Sequence, residues 1–145
     1  APRRRGADVA DGGIAVSPQP ALFPAIYAAL SAAPSLGAGI YDAVPQNAAY
    51  PHIEIAPGRA YDWSAILLRG EETIFEIHVW SRYRGYKEAR DLMASIKDRL
   101  HEQALSLTGA SLVDIRFEDS ELFTDVDGLT RHGIIRFRAT ATVAA

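Results

Sequence analysis

The sequence predicts an α+β fold: an antiparallel sheet packed by two helices, in the order α-β-β-β-α-β-β, with a long C-terminal hairpin. Three observations predict it. "ETIFEIHVW", "SLVDIRFE" and "GIIRFRATATV" alternate apolar and polar residues, the pattern of half-buried strands. "SPQPALFPAIYAAL" and "GYKEARDLMASIKDRL" instead repeat apolar residues at helical spacing. The last two strands are separated by a segment containing Asp127-Gly128, a strong hairpin signal.

Residues 1–17 are rich in Gly, Ala, Arg and Asp without periodicity, and read as a flexible N-terminal arm ahead of one domain over 18–145. Asp8 and Asp11 interrupt any apolar stretch of a signal peptide. The first helix follows, with Ser17 as its expected cap and Pro20 in its first turn, where a missing N–H is harmless. Leu22, Ile26, Tyr27 and Leu30 mark its apolar spacing, and Pro34 with Gly37 end it.

A short strand is expected near Ile40–Ala43, then a turn through Pro45–Asn47, then a strand at His52–Ile55 headed by Pro51. Strands joined by short turns are expected to run antiparallel. Residues 58–71 are ambiguous, and "WSAILL" reads as a strand or a partly buried loop. In the next strand, Phe75, Ile77 and Val79 face one side, and Ile74, Glu76, His78 and Trp80 the other. The second helix is expected over Tyr86–Ala104, with Ala89, Leu92, Met93, Ile96 and Leu100 as its stripe and Gly109 closing the connection after it. In the final strands, Val113, Ile115 and Phe117 alternate with Asp114, Arg116 and Glu118. Ile135, Phe137, Ala139, Ala141 and Val143 alternate with Arg136, Arg138, Thr140 and Thr142.

The composition narrows the function classes. With 15 basic and 18 acidic residues, the net charge of −3 lacks the basic excess typical of nucleic-acid-binding domains. The absence of cysteine excludes disulfides, thiolate metal sites and a cysteine nucleophile. His52, His78, His101 and His132 form no paired metal motif, and His78 reads as a hydrogen-bonded structural histidine. "DVDG" at 125–128 resembles the start of a calcium loop but has no later acidic ligand, so a turn explains it better. "GAG" at 37–39 lacks the lysine of a phosphate loop, and no serine sits in a nucleophile elbow. No catalytic residue, cofactor or metal is expected, and the chain reads as a non-enzyme.

"WSRYRGYKEA" is the densest cluster of recognition-type residues. Arginine and tyrosine beside tryptophan can stack on bases or anchor a protein interface. An architectural reading also exists: Trp80 packs at the sheet edge, Ser81 or a neighbour caps, and Gly85 turns the chain into the helix. It leaves Arg82, Tyr83 and Arg84 unexplained. Leu122, Phe123 and Leu129 are apolar residues in a turn-rich segment, so the tip of the hairpin around Phe123–Arg131 is expected to contact a partner.

Three segments in order, "GIYDAVPQNAAYPHIEI", "HVWSRYRGYKEARDLMASIKDRL" and "LVDIRFEDSELFTDVDGLTRHGIIRFRA", resemble the tail completion or tail terminator family of long-tailed, siphovirus-like phages, prophages and gene transfer agents. The resemblance covers roughly residues 20–141 and leaves out the arm; residues 58–70 match poorly. It implies a structural virion protein that forms a ring, usually hexameric, at the head-proximal end of the tail tube. Such a ring ends tube polymerisation and joins the tail to the head-side connector. The implied partners are further copies of the chain, the major tail tube protein, the connector or stopper, and DNA passing through the lumen without specific binding; no membrane is involved. The implied place is a phage-like particle assembled from protein made in the bacterial cytoplasm. Arg82, Tyr83, Arg84, Tyr86, Leu122, Phe123, Leu129 and Arg131 become the candidate subunit or neighbour contacts. The alternatives are a connector or stopper in the adjacent ring, and a small nucleic-acid-binding module supported by "RRR" at 3–5 and "RYR" at 82–84.

Overall fold

A computed structural model describes residues 16–144. Of the arm expected over 1–17, residues 1–15 lie outside the described residues. The elements are α1 (Gln19–Ser31), β1 (Gly39–Tyr41), β2 (His52–Ile55), β3 (Arg59–Asp62), β4 (Leu68–Ser81), α2 (Lys87–Leu100), β5 (Ser111–Thr124) and β6 (Arg131–Ala144). The strands form a six-stranded sheet in the order β1-β2-β4-β6-β5, with β3 pairing to β4 off this path. The α+β class is as the periodicities predict. β3 resolves the ambiguous stretch: residues 59–62 are a strand, and "WSAILL" forms an exposed hairpin end.

Both helices lie on one sheet face. Period-2 alternation sends Phe75, Ile77 and Val79 of β4 and Ile135, Phe137 and Ala139 of β6 into that face. Leu22, Ile26 and Leu30 of α1, and Leu92, Ile96 and Leu100 of α2, close over them. The stacked Phe75 and Phe137 rings, 5.6 Å apart, form its centre. Burying each such side chain stabilises the fold by about 1.5–3 kcal/mol. Gly133 lets α2 approach closely, because a Cβ there would lie 2.6 Å from the Met93 sulfur.

Four local expectations are corrected. β1 and β2 run parallel, Gly39 pairing with His52 and Tyr41 with Glu54, because residues 42–51 carry the chain back along the sheet before β2 begins. α2 stops at Leu100, short of Ala104: His101 is already extended and Glu102 takes φ 59°, so its amide can bond to the Ile115 carbonyl. Ser17 is not the N-cap residue of α1, which is Pro18; its Oγ instead accepts the Gln19 amide and donates to Glu71. Val113 leaves the core face because the β5–β6 register shifts between Leu112 and Asp114. Leu112 therefore packs on the core, and Val113 stands half-exposed.

At the C-terminus of α1, Arg99 of α2 supplies what the helix lacks. α1 has no basic residue in its last turn. The Arg99 guanidinium donates to the carbonyls of Leu30 at 3.1 Å and Ala32 at 2.7 Å, and also to Pro34. These carbonyls have no partner within a helix end, and a cation complements the negative end of the helix dipole.

Candidate interaction surfaces

Among the described residues, the second sheet face carries no helix. Its lateral register decides what can meet there. His52, Trp80, His132 and Phe123 are direct partners across β2, β4, β6 and β5. They form a row of rings: His52 and Trp80 stack at 5.3 Å, Trp80 and His132 at 4.6 Å, and Phe123 tilts onto His132 at 5.0 Å. The row continues outward through Tyr50, 4.8 Å from His52, to Arg82, whose guanidinium lies 4.3 Å from the Tyr50 ring centre. Trp80 therefore sits mid-sheet between β2 and β6, not at the edge the sequence suggested.

Below this row lies a polar ladder. His132 Nε2 and His78 Nδ1 are 2.8 Å apart, and His78 Nε2 meets Glu76 at 2.9 Å. The consistent assignment has His78 donating to Glu76 and His132 donating to His78. Burial, and repulsion from His78 whenever that ring is protonated, push His132 below its ordinary pKa. Burial pushes Glu76 up, but hydrogen bonds from His78 and Arg136 outweigh it, and its pKa is lowered. Arg136 then bridges β4 and β5, bonding Glu76 at 2.8 Å, Asp119 at 2.6 Å and Glu121 at 3.2 Å. Arg138 repeats the arrangement one step along with Glu72 and Glu118. Two arginines thus tie three strands together across the exposed face. Among the described residues, no cluster of histidine and acidic side chains is arranged to hold a metal ion.

At one end of the sheet, the corner after β4 meets the β5–β6 turn. Gly85, at φ 79°, makes the turn the sequence predicted. Ser81 does not cap α2, whose N-cap Tyr86 makes no side-chain capping bond. Ser81 Oγ instead donates to Glu88 and accepts the Tyr83 amide, which fixes the corner. Arg82 donates to the Thr130 hydroxyl at 3.2 Å. Arg131 reaches the Gly85 carbonyl, and Tyr86 bonds Thr124. Asp127 locks the turn by accepting the Thr130 hydroxyl, the Thr130 amide and the Leu129 amide, which together hold its pKa at about 2. Val126 is left fully exposed and Leu129 half-exposed at the tip.

Of the candidate contacts, Arg82, Tyr86, Leu129 and Arg131 come together around this turn. Phe123 faces the aromatic row. Leu122 pairs with Gly133, which places it on the helix face. Tyr83 turns toward α2, lining a shallow groove with Leu36, Pro51 and Leu92. Arg84 is exposed.

The opposite end of the sheet carries a second hairpin tip that the sequence reading left unassigned. Residues 63–67 join β3 to β4, with Ile66 92% and Leu67 83% exposed. Four large apolar residues in "DWSAILL", Trp63, Ile66, Leu67 and Leu68, were the available signal; only the pairing of β3 with β4 shows that they form a tip. Because Leu68 pairs with Ala144 and Ser81 with Arg131, the two tips cap opposite ends of strands 14 residues long. That separation is about 45 Å at 3.3 Å per residue.

The family model for tail completion protein gp17 matches residues 24–142. The chain belongs to the tail completion protein gp17 family. A family member, tail completion protein gp17 of Bacillus phage SPP1, is 29% identical over 91 residues, covering 63% of this chain and 67% of that protein. A chain from a solved virion of a native gene transfer agent particle superposes with a TM-score of 0.80 at 26% identity, covering 88% of this chain and 99% of that one. Membership gives the chain a structural role in the tail of a phage or phage-like particle. Among the described residues, no helix is long and apolar enough to cross a membrane.

Proposed function

We propose that this tail completion protein assembles into a ring, most simply a hexamer, at the head-proximal end of the tail tube. There it ends tube polymerisation and joins the tail to the head-side connector or stopper. The observation that carries this reading is the pair of apolar hairpin tips at opposite ends of one rigid sheet. A cyclic assembly needs contacts that do not pair with themselves, and two different tips at opposite ends leave one for a neighbouring ring and the other for the next subunit. The ladder of Arg136 and Arg138 stiffens the sheet between them. A net charge of −3 suits a conduit through which DNA slides without being held.

In this reading the corner and turn holding Arg82, Tyr86, Leu129 and Arg131 face a neighbouring ring, and Tyr83, Arg84, Leu122 and Phe123 lie at or beside subunit contacts. The test is deletion of Val126–Leu129 with a two-residue glycine closure. The isolated chain is expected to stay folded, while tails made with it fail to join heads or grow past their normal length. Normal tails and particles carrying the deletion would overturn the assignment of this tip. Cross-linking in purified particles separates a terminator from a connector: a terminator must bond directly to the major tail tube protein.

A further inference from the structure

The β3–β4 tip carries an unusual backbone choice. Ala65 and Leu68 exchange both backbone hydrogen bonds, at 2.9 and 3.1 Å, so Ile66-Leu67 is a two-residue turn. Leu67 takes φ 65°, the left-handed region where glycine or asparagine is the usual occupant. The chain accepts a strained leucine and aims two aliphatic side chains at solvent. Strain of this kind persists only where the surrounding structure enforces it, and it clusters at functional sites. Behind the tip, Trp63 lies over Gly70, where a Cβ would come 2.5 Å from the Trp63 carbonyl oxygen, so the hairpin end is closely packed.

The chain also carries a groove suited to such a knob. Between α1, β1 and the β2–β3 connection lies an open cavity of about 810 Å³. Phe23, Tyr27, Ile40, Tyr41 and Ile55 supply its apolar and aromatic walls, the residue types that anchor interfaces. Its rim bears the exposed Asp42, and the exposed Arg69 stands beside the tip. The tip cannot enter its own groove. Gly58 is at the groove, and β3 carries the chain away from it through Arg59–Asp62 in a paired ribbon, roughly 13 Å of stiff strand.

We infer that Ile66 and Leu67 insert into the α1–β1 groove of a second copy of this chain, with Arg69 meeting Asp42 at the rim. Knob and groove lie on different surfaces, so the contact is head to tail, the kind of contact from which a cyclic ring is built when the rotation per step closes. The inference rests on the ring reading and names the surfaces that build it.

The chain has no cysteine, so engineered thiols report cleanly. I66C and Y27C, made separately in the full-length chain and mixed during particle assembly, are expected to yield a covalent dimer on mild oxidation. Neither variant alone should do so. I66C/Y27C in one chain should give a ladder of multimers. Charge reversal supplies the second arm: D42R or R69E alone should reduce incorporation about tenfold, and the double variant should restore it. Particles that contain several copies of the protein but form no I66C–Y27C bond, or whose I66C bonds a different tail protein, would overturn the inference and leave the ring reading standing. A single copy per particle would overturn both.

Discussion

Replacing Leu67 with glycine is expected to stabilise the isolated chain while weakening its assembly. The magnitude follows from the backbone. A leucine held at φ 65° carries about 1–2 kcal/mol of left-handed strain. Glycine removes it but adds about 0.5–1 kcal/mol of unfolded-chain entropy. Leu67 is 83% exposed, so the burial forfeited is only about 0.3 kcal/mol of the roughly 2 kcal/mol for a fully buried leucine. The net expectation is about 0.5 kcal/mol of stabilisation, or roughly 1–2 °C in Tm for a chain of this size. Urea and thermal unfolding of the full-length protein measure it, with Leu67→Ala as the comparator. Alanine keeps the strain, loses the aliphatic contact and should show no gain. A Leu67→Gly variant that loses more than about 1 kcal/mol, or one that assembles normally, would refute the view that the leucine is retained for a partner.

Three further outcomes follow from the same geometry. Gly133→Ala should destabilise by about 1–3 kcal/mol, because its Cβ would collide with the Met93 sulfur; adding Met93→Ala should recover part of the loss, as a double-mutant cycle would register. Arg99→Ala should remove about 1–2 kcal/mol, because the part-buried Leu30 carbonyl loses its charged partner while the exposed Ala32 carbonyl turns to water, and amide exchange should accelerate first in the last turn of α1. Stability should be whole above pH 6.5 and fall as pH drops through the lowered folded pKa of His132, because the unfolded chain takes up that proton first; His132→Gln should flatten this step. Glu76, also lowered, extends the loss in the same sense below pH 4.5.

Much of this molecule was legible in its chain. Alternation in "ETIFEIHVW" and "GIIRFRATATV" named the core residues of β4 and β6, because period 2 sorts side chains to two faces whatever the neighbouring strand is. The stripe of Leu92, Ile96 and Leu100 named the buried side of α2 for the same kind of reason. The corner after Trp80 and its turn at Gly85 were legible too, since only a left-handed residue fits there. The misreadings occurred where pairing or termination depended on distant residues. Nothing local in "GIYDAVPQNAAYPHIEI" says that β1 and β2 run parallel. Nothing near His101 says that its helix ends because Glu102 bonds to Ile115.

The sequence by itself determined the α+β class, the two helices and the resemblance to a tail completion family, because periodicity is a property of one strand or helix at a time and the order of motifs is a property of the chain alone. Only the tertiary structure decided that His52, Trp80, His132 and Phe123 share a row, that Arg136 joins three carboxylates, and that Ile66 and Leu67 stand at the far end of the sheet from Val126. Those relations are set by strand register, and register is fixed by how whole strands align across the sheet rather than by any residue's own preference.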